Sequence, residues 1–178
     1  MTLGLSTSAD ASFHTWDISE IYTDSTGGIQ FIELVENAGF DFQHEFANIS
    51  ISSDSAVFTF PTDLSVGTAT ANLRLILGNA AYNAAPGAVA ADYLLPDSFF
   101  SAAGDTINFG GVDSVTFANL PTDGSNSFNY TGGSGSGKTT SPNSPTNLAS
   151  QVGSVPEPSS AALLMAGGVA ALFGRRRK

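Results

Sequence analysis

The chain predicts a β-sandwich body followed by a disordered linker and one C-terminal transmembrane helix. Three observations carry this. Between residues 13 and 130, short runs rich in aromatic and β-branched residues alternate with turn residues. Residues 131–154, TGGSGSGKTTSPNSPTNLASQVGS, hold almost no large apolar side chain. Residues 159–174 carry no charge and are closed by four cations, Arg175, Arg176, Arg177 and Lys178.

Eight strands are expected in order: WDISEIY (16–22), IQFIELV (29–35), FANISIS (46–52), AVFTF (56–60), LRLIL (73–77), DTINF (105–109), DSVTF (113–117) and SFNY (127–130). In FANISIS the alternation of Ala47, Ile49 and Ile51 with Asn48, Ser50 and Ser52 reads as one buried face. IQFIELV is apolar on both faces, Phe31 and Val35 on one and Ile32 and Leu34 on the other, which suits a central strand. Turns are expected at Ser25-Thr26-Gly27-Gly28, at Gly110-Gly111 and at Pro121-Thr122-Asp123-Gly124. Residues 78–100, rich in Ala and holding Pro86 and Pro96, read as a long excursion with a helical turn near 79–84. The domain reading is then a signal-peptide remnant or disordered tail over 1–12, a body over 13–130, a flexible linker over 131–154 and a terminal signal over 155–178.

Charge is unevenly spread. Four of the six cations are the last four residues. Residues 1–158 hold Arg74 and Lys138 against all 16 acids, a formal −14. Such a body repels nucleic acid and anionic lipid, so no nucleic-acid partner is expected, and a divalent cation or cationic polymer is the more natural ligand. Cysteine is absent, which excludes disulfides and thiolate metal sites. Residues 1–11, MTLGLSTSADA, lack a basic start but end in an A-x-A cleavage pattern, as the distal half of a signal peptide would.

Few residues propose chemistry. Gly132, Gly137, Lys138 and Thr139 satisfy the spacing GxxxxGK[ST] of a phosphate-binding loop. That loop needs a helix to follow it, and Pro142 and Pro145 forbid one. His14 and His44 each stand outside any zinc-ligand spacing. Calcium is the one cofactor the acids could serve, through a site assembled from loops holding Asp97, Asp105 or Asp123; otherwise none is expected. Glu33 and Glu36, three apart on a strand, point to opposite faces and cannot act as a pair. No nucleophile elbow occurs, so the body reads as no enzyme. Arg74 lies inside LRLIL and Glu33 inside IQFIELV; a buried Glu33 needs a partner, and Arg74 is expected to pair with Glu33 or Glu20.

The tail has a mechanical reading. Sixteen helical residues span about 24 Å against a hydrocarbon core of about 30 Å. Leu163, Leu164, Val169, Leu172 and Phe173 favour insertion by a total on the order of 2–3 kcal/mol. Such a span is marginal and needs the cations 175–178 as a cytoplasmic stop. Ahead of it, Pro156 and Pro158 hold Glu157 in extended chain. The order of Val155, Pro156, Glu157 and Pro158, apolar run and basic end resembles the PEP-CTERM sorting signal of exopolysaccharide-producing Gram-negative bacteria. The resemblance implies an exosortase-type membrane enzyme as partner, export across the inner membrane, a transient single-pass anchor there, and a destination at the cell surface or in the extracellular matrix, with polysaccharide within reach.

The body resembles a lamin-tail-like domain, an Ig-like sandwich, at Ile18-Ser19-Glu20, Phe31-Ile32-Glu33-Leu34, Asn37, Gly104-Asp105-Thr106-Ile107 and Asp113-Ser114-Val115. That resemblance implies an interaction or accessory module without catalytic residues. Two other roles stay open: a calcium- or glycan-binding adhesin with an aromatic platform from Tyr82, Tyr93, Phe99 and Phe100, and a secreted hydrolase with a site in the 78–100 excursion.

Overall fold

A computed structural model describes residues 13–156. Within them lie ten strands and one short helix. The strands are β1 (Trp16–Thr23), β2 (Gln30–Glu36), β3 (Ser50–Ser52), β4 (Val57–Thr59), β5 (Arg74–Gly78), β6 (Tyr93–Leu94), β7 (Asp105–Phe109), β8 (Asp113–Phe117), β9 (Asn126–Asn129) and β10 (Thr139–Pro142), with α1 (Ala80–Ala84) between β5 and β6. They form a six-stranded sheet, β10-β9-β1-β2-β5-β6, and a four-stranded sheet, β4-β3-β7-β8.

The two sheets share one apolar core. Ile18, Ile21, Ile32, Leu34, Leu75 and Leu77 enter it from the larger sheet, and Ile51, Ile107, Phe109 and Val115 from the smaller. In β7 and β8 every second side chain is buried, the signature of a sheet with one wet face. β2 is buried along its whole length, which both of its apolar faces had indicated.

The outer face of the larger sheet is therefore covered as well. A second cluster of Tyr22, Phe31, Ile76, Tyr82 and Val155 lies there, flanked by Ala85, Ala88 and Val89. A bulge between Ile18 and Glu20 shifts the alternation of β1. It lets Ile18 and Ile21, three apart, both face the core, while Glu20 and Tyr22 turn outward.

All eight expected strands form, two of them shortened: FANISIS, and AVFTF to Val57–Thr59. Asn48 takes a left-handed conformation (φ 65°), so FANISIS is strand only over Ser50–Ser52, and the expected buried face of Ala47, Ile49 and Ile51 is reduced to Ile51. The β1–β2 turn is organised by Asp24, whose Oδ1 accepts the amides of Gly28 and Ile29 at 2.9 and 3.0 Å. The excursion is real: Asn79 caps α1 by accepting the Tyr82 amide, and β6 then returns parallel to β5. Gly78 is required there, because a Cβ would stand 2.4 Å from the Tyr82 ring.

The expected linker is the main correction. Residues 131–156 contain β10, paired with β9, and a loop closed by the Thr146–Val152 bridge. Asn143, Asn147 and Val155 are buried. The body thus runs on to residue 156 instead of ending at 130. The expectations placed on residues 1–12 and 157–178, including the transmembrane helix 159–174, lie outside the described residues.

Candidate functional site

The segment that leads into the terminal signal is gripped by carboxylates. Glu20 and Glu33 face each other across β1 and β2, each 1 % exposed. Residues 144, 146 and 148 each turn an amide toward a carboxylate. Ser144 N donates to Glu20 Oε1 (3.0 Å), Thr146 N to Glu33 Oε2 (2.7 Å) and Leu148 N to Asp92 Oδ2 (3.1 Å). Glu20 Oε1 also accepts from Ser127 Oγ, and Glu33 Oε1 from Ser19 Oγ, each at 2.6 Å. The predicted ion pair forms between Arg74 and Glu33, so Arg74 chooses Glu33 over Glu20. Arg74 stays 43 % exposed, one end of the pair in water and the other buried.

Asn143 closes the segment. Its Oδ1 accepts Val155 N at 2.6 Å, and its Nδ2 donates to Val155 O at 3.0 Å and to Ser125 O at 2.8 Å. Further along, Ser154 N donates to Gly87 O (3.1 Å) and Gly153 N to Pro145 O (2.9 Å). Val155 ends 1 % exposed in the cluster of Tyr22, Phe31, Ile76 and Tyr82. Pro156 is exposed next to it. Of the predicted processing residues, Val155 is thus buried and Pro156 exposed. Glu157, Pro158 and the stop at Arg175, Arg176, Arg177 and Lys178 lie outside the described residues.

Burial dominates the electrostatics of the grip. It pushes the Glu20 carboxyl from its ordinary 4.5 up to about 7, against the opposing hydrogen bond of Ser127 and with Glu33 adding repulsion. Glu33 is raised for the same reason, although Arg74 and Ser19 pull it down. Asp92 is raised by burial, with the amides of Ile76 and Leu148 opposing.

The remaining candidates are dispersed. Asp105 accepts the amides of Asp54, Ser101 and Thr106. Asp123 accepts those of Ser125 and Asn126, and Asp97 meets the Asn79 side chain. Asp123 caps its own turn, while Asp105 also reaches the loop at Asp54, and among the described residues no three His, Asp or Glu side chains gather to hold a metal. His14 stacks on Phe13 at 4.8 Å, while the carbonyl of His44 accepts the amides of Phe46 and Leu64. Glu36 turns from Glu33 to accept the amides of Gly39, Phe40 and Asn72. The aromatic platform does not exist: Tyr82, Phe99 and Phe100 are buried, and Tyr93 packs on Phe60. After Gly132–Thr139 comes strand β10, not a helix, and the Ser134 amide is taken by Asp113, an anion where a phosphate would sit.

The sequence offered Glu33 or Glu20 as the partner of Arg74, but not the backbone amides that Glu20, Glu33 and Asp92 accept, nor the role of Asn143. One signal was present: three acids in or beside strands of a body with two cations need other donors, and backbone amides are the obvious supply.

Geometry and motif together define a two-sheet β-protein whose C-terminal signal is rooted in the fold. Residues 154–178 match the family model of the PEP-CTERM protein-sorting motif, which supports sorting to the cell exterior by an exosortase-type membrane enzyme. The described residues Ser154, Val155 and Pro156 are its first three. No curated protein matches the chain, and no solved structure does, so the lamin-tail resemblance of the body gains no support. Among the described residues no helix is long and apolar enough to cross a membrane.

Proposed function

We propose that the chain is an exported envelope or extracellular-matrix protein whose body is a non-catalytic interaction or structural module. Residues 159–174 hold it in the inner membrane during sorting, with 175–178 on the cytoplasmic side, until an exosortase-type enzyme processes the tail. The observation that carries this is the sorting motif at 154–178, continuous with the folded body. The non-catalytic reading is supported by the use of Glu20, Glu33, Asp92, Asp105 and Asp123 as acceptors for backbone amides, which commits these carboxyls to holding the fold. No cofactor enters this reading.

Mass spectrometry of the protein from cells with and without the sorting enzyme tests it. The expected product is an external form lacking 175–178 when the enzyme is present, and a membrane-held full chain when it is absent. Intact Arg175, Arg176, Arg177 and Lys178 on the external form would overturn the processing step.

A further inference from the structure

Two stretches of this acidic chain, 79–91 and 143–156, contain no charged residue. The fold brings them side by side: Ser154 N donates to Gly87 O, and Asn147 Nδ2 to Ala90 O at 3.2 Å. Together they cover the outer face of the six-stranded sheet. Ala81, Ala84, Pro86, Ala90 and Val152 are exposed on their surface, Val152 at 68 %. Glu20 and Glu33 beneath them are 1 % exposed. Asp97 and Asp123 mark the rim, each bonded at the edge of the two stretches, to Asn79 and to the turn at Ser125 and Asn126. At this neutral face the chain leaves the body.

Chain length limits how far the face can stand from the bilayer. Val155 is pinned, and the uncharged run begins at Ser159. Four residues reach at most about 14 Å when fully extended, against a headgroup layer of roughly 5–8 Å on each side of the hydrocarbon. Loss of hydration so close to the bilayer costs far more for a charged surface than for an uncharged one. We infer that the neutral face of 79–91 and 143–156 is seated against the outer surface of the inner membrane while the tail is held there, so that the body is presented to the sorting machinery in one orientation. This inference rests on the reading of 159–174 as a membrane segment.

The chain has no cysteine, so single labels are clean. The full chain carrying Val152→Cys, or Val57→Cys on the four-stranded sheet (63 % exposed), is labelled with a fluorophore. It is then reconstituted in vesicles of phosphatidylethanolamine and phosphatidylglycerol that carry a headgroup nitroxide quencher. The expected result is several-fold stronger quenching at 152 than at 57, and a Gly/Ser spacer inserted after Pro156 abolishes the difference. Equal quenching in protein that floats with the vesicles overturns the seating and leaves the membrane segment standing. A chain that does not float with the vesicles overturns the membrane segment, and the seating with it. Weak quenching at 152 together with burial of that label on adding the sorting enzyme overturns the lipid surface in favour of an enzyme-docking face.

Discussion

Glu20 is a carboxyl under a lid of backbone, with two donors on one oxygen and another acid opposite. Because folding raises its pKa from 4.5 to about 7, the native state holds the proton more tightly than the unfolded chain. Its contribution is fully present below the unfolded value and is lost as pH rises through about 7. Glu33, Asp92 and Asp17 are raised too and act in the same direction. The body is therefore expected to melt at a higher temperature at pH 5 than at pH 8. Replacing Glu20 by Gln should remove much of that difference, on the order of 3 kcal/mol for a shift from 4.5 to about 7. A melting temperature that rises from pH 5 to pH 8 would contradict the burial argument.

Arg74 gives a second prediction at the same scale. Arg74→Met leaves Glu33 beside Ser19 and Thr146 but without a counter-charge. The half-exposed guanidinium limits the loss to about 1–3 kcal/mol at neutral pH. The loss should shrink in acid, as Glu33 protonates. Denaturant midpoints at two pH values read both effects.

Among elements, the segment 139–156 has the most consequence. It was unreadable as structure because it lacks what marks a strand or helix in sequence: apolar periodicity. Polar backbone bonds hold it instead, and those depend on acids far away in the chain: Glu20, Glu33 and Asp92. A protein truncated after Tyr130 should thus be strongly destabilised, because Val155 leaves its cluster and Glu20 and Glu33 lose their amide donors. One truncated after Pro156 should melt like the full-length body. Equal melting temperatures would restore the linker. Asn143→Ala tests the closure more finely. Loss of its bonds to Val155 and Ser125 is expected to cost about 2–3 kcal/mol. Faster hydrogen exchange should be confined to residues 143–156.

β1, β2, β5, β7, β8 and β9 were legible for the opposite reason. Their runs of aromatic and β-branched residues, bounded by turn residues, are a local signal that needs no knowledge of partners. β6, of two residues, and β10, with Pro142 at its end, are too short and too polar to announce themselves. Their pairing comes from position alone, as edge strands of a sheet already formed.

For the whole molecule, the firm root of the sorting motif changes how the protein meets its enzyme. A flexible stretch over 131–154 would have a root-mean-square span of roughly 25–30 Å. The folded segment leaves only the few residues after Val155. Folding of the body and presentation of the motif are thereby coupled. A destabilised variant such as Asn143→Ala, outside the motif at 154–178, should alter the rate of tail processing in cells without touching the motif.

The address of this protein was local information. The Pro-Glu-Pro box, the uncharged run and the four terminal cations are contiguous, and a contiguous signal survives translation from sequence to meaning without a fold. Most of the strands were local in the same sense. The grip was not. Glu20, Glu33, Asp92 and Asn143 acquire their roles only when sequence separations of up to 124 residues are closed, as between Ser144 and Glu20. Hydrogen bonds of buried acids to backbone amides leave no mark in composition, because every residue except proline offers the same amide. Tertiary structure alone therefore decided that the body reaches the motif itself, and that the surface of 79–91 and 143–156 beside it is neutral.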